Sequence, residues 1–359
     1  SSNNKFTLNI SKKFKIKDFQ LKSQIDLNNL TFEDNLLNVK KYFLSSKELI
    51  NLEKHKILIN YKNNNFDISG KGSLIINDKS EFIDYKIQKK NDQYNFDTVI
   101  EINENPLFLN ELDYKKDINI KSLLKLNGFY KNNKLFKFNS VSYKENKNNF
   151  IIKDLILDNN IKISDIKLLE LNYINKNNIK NQISIKKNNN KYILDGNSFD
   201  ISSLIDRILD IKNDDSSSIF SNLNSEIKIK ISKTYLDELT FINDLQGNIF
   251  FENNKIDNLK LDSTFTNKKK ITLSINKNTN NEKVTTLYSG YPKPLVKRYK
   301  FIKGFEEGIL DFYSIKKNGI SNSLLIIDNF KVQEVPVLAK LLTLASLQGV
   351  ADLLTGEGI

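Results

Sequence analysis

Two pairs of adjacent carboxylates, Asp237-Glu238 and Glu306-Glu307, are the side chains in this 359-residue chain that could divide the work of a general acid and a general base. Neighbouring strand or turn residues point apart, so both pairs read as solvated charge. The single histidine, His55, follows Glu53-Lys54 and reads as a surface or strand-end residue rather than a ligand. One histidine excludes a two-His catalytic device. The absence of cysteine excludes disulfides, thiolate metal sites, iron–sulfur clusters and a cysteine nucleophile. Gly70-Lys71-Gly72 is assigned to a hairpin, and no phosphate-cradling glycine loop, His-Glu metal helix or nucleophile elbow is present. The chain is therefore expected to be no enzyme, with no catalytic residue, cofactor or metal.

Charge narrows the partners. Lys+Arg number 55 against 43 Asp+Glu, a formal net charge of +12, yet only Arg207 and Arg298 are arginine. Readers of bases and phosphates favour the rigid guanidinium fork, so nucleic acid is not expected as a partner. Runs such as Lys268-Lys269-Lys270 read as solvated turns, with attraction to anionic lipid headgroups as the functional alternative. Phe14-Lys15 and Phe136-Lys137-Phe138 interleave ring and charge only as strand alternation requires. The segment 335–355 is apolar but interrupted by Lys340, Gln348 and Asp352, against a membrane span. With no methionine, the chain is expected to be a processed or excised piece from which a native N-terminal anchor or signal has been cut away.

The elements that would position any site are written with a two-residue period. Ile57, Ile59 and Tyr61 alternate with Lys56, Leu58 and Asn60, then Asn63-Asn64-Asn65 turns the chain into Phe66 and Ile68. The same alternation recurs at 135–138, 161–163, 227–231 and 271–275, with Asn-rich turns such as Lys187-Asn188-Asn189-Asn190. The expected fold is mainly β, a long twisted antiparallel sheet with a few short amphipathic helices. Ile201, Leu204, Ile205, Ile208 and Leu209 follow helical spacing behind a Ser or Asp cap, before the linker 213–218. Pro336 to Leu354 predicts a second amphipathic helix, with shorter candidates at 294–299 and 46–54.

The last third carries a more specific pattern. Asp328-Asn329-Phe330-Lys331-Val332 precedes Val335-Pro336-Val337-Leu338 and a helix that ends Leu353-Leu354-Thr355-Gly356-Glu357-Gly358-Ile359. Upstream lie Ser289-Gly290-Tyr291, Ile302-Lys303-Gly304 and Gly308-Ile309-Leu310-Asp311, and Asp195-Gly196-Asn197-Ser198-Phe199-Asp200 enters the first helix. This ensemble resembles the AsmA-like envelope proteins, in the subgroup of YhdP and its TamB-related, bridge-like relatives. Lysine and asparagine stand where those relatives carry arginine, glycine and alanine.

The resemblance implies a sheet curled into a U-shaped β-groove of repeating hairpins, polar outside and apolar inside. It implies a periplasmic protein anchored to the inner membrane by an N-terminal helix absent from this chain, with possible contact to the outer membrane and phospholipid as cargo. The corresponding segments are 1–195 (first groove segment), 196–218 (helix and linker), 219–334 (second groove segment) and 335–359 (terminal helix). Lipid contacts are expected at Ile201, Leu204, Ile205, Ile208 and Leu209, and at Val337, Leu338, Leu341, Leu342, Ala345 and Leu353. The terminal helix either caps the groove against lipid or closes the hydrophobic core. The alternative function is an envelope β-scaffold without transport.

Overall fold

The computed structural model describes residues 1–33, 42–43, 49–131, 135–203, 220–299, 305–317 and 320–331. Leu204, Ile205, Ile208, Leu209, the linker 213–218 and the helix expected at 336–354, with Val337, Leu338, Leu341, Leu342, Ala345 and Leu353, lie outside the described residues.

Strand formation follows from the turns. Tight turns between strands require a positive φ, which asparagine tolerates because its short side chain hydrogen-bonds locally. Asn63 and Asn64, Asn77 and Asp78, Asn146, Asn189, and Asn253 and Asn254 all adopt it. Between these turns, β-branched and aromatic residues alternate with polar ones, and 74% of the residues are in strands.

The chain divides into two compact units, Ser1–Asn178 and Ile179–Ile359. The boundary expected at 195/196 falls inside a strand of the second. The first unit holds β1 (Ser2–Ile10), β2 (Ile16–Glu33), β3 (Leu49–Lys62), β4 (Asn65–Ile76), β5 (Lys79–Lys90) and β6 (Gln93–Glu101). A small hairpin, β7 (Leu107–Leu109) and β8 (Tyr114–Lys116), interrupts the meander. It then resumes with β9 (Ser122–Lys131), β10 (Leu135–Glu145), β11 (Asn148–Leu157) and β12 (Ile163–Ile174). Every consecutive pair is antiparallel, β6 pairing directly with β9.

The second unit runs β13 (Lys180–Asn188), β14 (Lys191–Asp200), β15 (Ser225–Tyr235), β16 (Phe241–Glu252), β17 (Lys255–Phe265), β18 (Lys270–Lys277) and β19 (Lys283–Ser289). A short helix α1 (Lys293–Tyr299) precedes β20 (Glu306–Lys317) and β21 (Ile320–Lys331). β14 and β15 are parallel, Leu194 opposite Ile229, while the other pairs are antiparallel. A parallel pair needs a crossover of a dozen or more residues, which 201–224 supply.

Five expectations are corrected. The sheet of the second unit is mixed rather than wholly antiparallel, and within each unit the sheet is open and uncurled rather than bent into a U-shaped groove. Leu49–Lys54, a helix candidate, is the start of β3, because pairing with β2 uses its alternation. Gly70-Lys71-Gly72 lies in mid-strand β4, not in a hairpin. His55 is only 1% exposed, not a surface residue: its ring lies over Gly72, where a Cβ would come within 2.4 Å of it. The helix expected at 294–299 is present as α1, with Val296 fully buried.

Gly72 thus makes the room that buries His55. Gly72→Val is expected to lower the stability of the first unit by about 1–3 kcal/mol through overpacking. Lys71→Ala, on the exposed opposite face, is expected to leave it unchanged. Thermal unfolding followed by circular dichroism compares the two.

Candidate functional site

Cross-strand pairing places side chains in rows perpendicular to the strands, and the rows show which face is apolar. In the first unit one row runs Ser23, Ile59, Ile68, Ile87, Phe96, Gly128, Phe138, Leu155 and Ile166, each opposite the next. The next row begins Ile25, Ile57, Gly70, Tyr85, and ends Leu126, Val141, Ile152, Leu169. At strand spacing of about 4.8 Å, a nine-strand row is roughly 40 Å long. The opposite face carries Lys22, Asn60, Asp67, Gln88 and Asn95 in register.

In both units these rows are largely half-buried. Ile57, Ile59, Ile68, Ile83, Ile87, Phe96 and Leu126 are only half-buried, and no second layer covers them among the described residues. In a sandwich such side chains would be fully buried. The second unit has the same kind of row, Ile185, Leu194, Ile229, Gly247, Leu261, Leu273, Leu287, Phe312 and Leu325. There Leu194, Leu261, Leu273 and Leu287 are half-buried as well, while Ile256, Leu259 and Ile275 form a buried cluster with Ile249, Phe251, Leu261 and Leu273 against it.

Aromatic rings line one end of the first unit's apolar face, where the strands turn through short hairpins. Phe19 meets Tyr61 at 5.7 Å, Phe66 meets Tyr94 at 5.9 Å, and Tyr94, Tyr130 and Phe136 follow at 6.3 Å steps. The other end is closed by the excursion between β6 and β9. There Glu81 accepts backbone N–H groups from Asn103 at 2.6 Å, Glu104 at 3.0 Å and Asn105 at 2.7 Å. Lys116, 1% exposed, donates to the carbonyls of Asn105 at 2.6 Å and Asp117 at 3.1 Å. Tyr114 donates to Glu145 at 2.8 Å and packs edge-on against Phe150 and Tyr173. Glu81 and Lys116 thus hold the backbone of the excursion down.

The carboxylate pairs found in the sequence are also structural. Asp237 caps its own turn, accepting from the N–H groups of Leu239 and Thr240 at 2.8 and 2.7 Å. Glu307 pairs with Lys331 at 2.7 Å and Glu306 with Lys293 at 3.4 Å. Among the described residues no cluster of three or more His, Asp or Glu is placed to hold a metal ion, and no helix is long and apolar enough to cross a membrane. Of the expected lipid contacts, Ile201 is half-buried against Leu236, Ile242 and Phe265, just ahead of a helical start capped by Asp200. The other ten lie outside the described residues. Sequence reading missed the Glu81–Lys116 closure, because its partners are mostly backbone atoms and leave no motif.

No family model, curated protein or solved structure matches this chain.

Burial pushes the Tyr114 and Tyr143 phenols above their ordinary range, and desolvation lowers the Lys116 ammonium. A phenol with a raised pKa stabilises the fold fully below the ordinary tyrosine value of about 10, and that contribution fades as pH climbs past it. The lysine works oppositely, since stability rises as pH approaches its ordinary value from below. Two phenols outweigh one ammonium, so the urea midpoint of the first unit is expected to fall between about pH 10 and 11. Tyr143→Phe, which keeps the Tyr114–Glu145 bond, is expected to make that fall shallower.

Proposed function

We propose that this chain is a non-enzymatic envelope protein that holds phospholipid acyl chains against the apolar face of its sheet and conducts them between the inner and outer membranes. The observation that carries this reading is the half-buried apolar face of the first unit, running from Ile59 in β3 to Phe138 in β10 without a covering layer among the described residues. Moving one methylene from water onto such a face is worth about 0.8 kcal/mol, so a long acyl chain is retained with no binding motif. Headgroups stay at the wet, lysine-bearing margins. The resemblance to AsmA-like proteins supplies the setting: the periplasm, an inner-membrane anchor beyond this chain, possible outer-membrane contact, and a TamB-type bridge. The reading calls for no cofactor and no nucleic acid.

The buried cluster around Ile275 favours a second reading for the second unit, a scaffold that fills its own interior without transport.

Lipid extracted from the purified protein, identified by mass spectrometry, tests the reading. Ile59→Asp with Ile87→Asp is expected to reduce phospholipid recovered or taken up by roughly tenfold, the loss of two or three methylene contacts. Lys56→Asp with Lys86→Asp, on the other face, is expected to leave it unchanged. A lipid-free wild-type protein that takes up no fluorescent phospholipid would end the conduit reading.

A further inference from the structure

The β1–β2 hairpin shares its turn geometry with the β11–β12 turn, where Ile161 at φ 61° stands in the place of Phe14, but differs from it in composition. Its tip is not asparagine but Ile10-Ser11-Lys12-Lys13-Phe14-Lys15-Ile16-Lys17. Phe14 is 90% exposed, with Ile10 at 60% and Ile16 at 64%. The tip is nonetheless built. Phe14 N–H donates to the Ser11 carbonyl and Ser11 N–H to the Lys15 carbonyl, both at 2.9 Å, while Lys15 N–H donates to Ser11 Oγ at 3.1 Å. Phe14 sits at φ 57°, a conformation that a bulky side chain seldom adopts, so the fold turns the ring outward without packing it.

The tip also projects. β3 pairs with β2 only as far as Gln20, so Ile16–Phe19 run on beyond it, about 13 Å at strand rise. Lys12, Lys13, Lys15 and Lys17 are all exposed, and Asp18, the nearby acid, accepts from the Asn9 side chain at 3.4 Å. Behind the tip, at the same end of the sheet, lies the Tyr61–Tyr94–Tyr130 margin. An exposed ring flanked by aliphatics, a collar of lysines and amphipathic tyrosines behind them is the arrangement that settles at a bilayer interface. A polyanion without bases, such as a sulfated sugar, would have no use for the ring, and the scarcity of arginine argues against a nucleic acid.

We infer that the β1–β2 tip docks on an anionic lipid bilayer, Phe14 and Ile16 entering the interface while the four lysines meet headgroup phosphates. This goes beyond the acyl-chain reading and stands apart from it, since it rests on the hairpin and not on the apolar face.

Vesicle flotation of the full chain tests it. The protein is expected to float with phosphatidylcholine vesicles containing about 30% phosphatidylglycerol, and to float poorly with phosphatidylcholine alone. Phe14→Ser is expected to weaken binding about tenfold or more, and Lys12→Gln or Lys13→Gln about fivefold each. The tip packs against nothing, so these variants keep the fold, which circular dichroism checks. The chain has no tryptophan, so Phe14→Trp supplies a single reporter whose emission is expected to shift to the blue on adding anionic vesicles. Unchanged flotation of Phe14→Ser, equal binding to neutral vesicles, or no blue shift overturns the inference, as does heparin binding stronger than vesicle binding and indifferent to Phe14→Ser. Ile59→Asp with Ile87→Asp separates the two readings: it is expected to lose lipid uptake and keep flotation.

Discussion

A sheet one layer thick satisfies its backbone hydrogen bonds internally but can hide only one of its faces. That constraint organises both units. The two-residue period sends every second side chain to the same side, and unbroken registers join those side chains into rows such as Ser23 to Ile166 and Ile185 to Leu325. Once such rows exist, the molecule must fill the apolar side from within or leave it for something else to cover. Each unit does some of both: Ile59, Ile87 and Phe96 in the first and Leu194, Leu261 and Leu273 in the second stay half-buried, while Phe150 and Tyr173 in the first and Leu259 and Ile275 in the second are buried.

The ends of the strands are as unlike as the faces. In the first unit, the excursion between β6 and β9 is pinned at its base by Glu81 and Lys116, whose charges are answered largely by main-chain N–H and carbonyl groups. Backbone partners fix position more rigidly than flexible side-chain ions, at the cost of burying charge. At the other end, the hairpins are short and the rings of Tyr61, Tyr94 and Tyr130 form the margin.

Much of this was legible in the sequence. Alternation at 56–61 and 227–231 gave the strands, asparagine pairs gave the turns, and the proline at 294 marked the short helix. What stayed hidden depended on distant partners. His55 was read as exposed because its burial comes from Gly72, which looked like a turn glycine; neither residue discloses the other locally. The helix candidate at 46–54 failed because Leu49, Ile50 and Leu52 suit either period and pairing with β2 decided between them. A parallel step in a meander leaves no mark beyond a long connection. Openness is hidden for a similar reason: alternation says that a face is apolar and is silent on how the sheet bends.

The β14–β15 step has a kinetic consequence. Most of the antiparallel pairs join strands that are close along the chain, β6 and β9 across 102–121 being an exception, so long stretches of each meander can grow hairpin by hairpin. β15 reaches β14 only after 201–224 have been spanned, a loop closure with its own entropic cost. On loop-closure entropy the pairing of β14 with β15 is therefore expected to form after the hairpins on either side of it. Until then β14 and β15 each hold an open row of amide and carbonyl groups, and there the nascent chain is most exposed to pairing with the wrong strand.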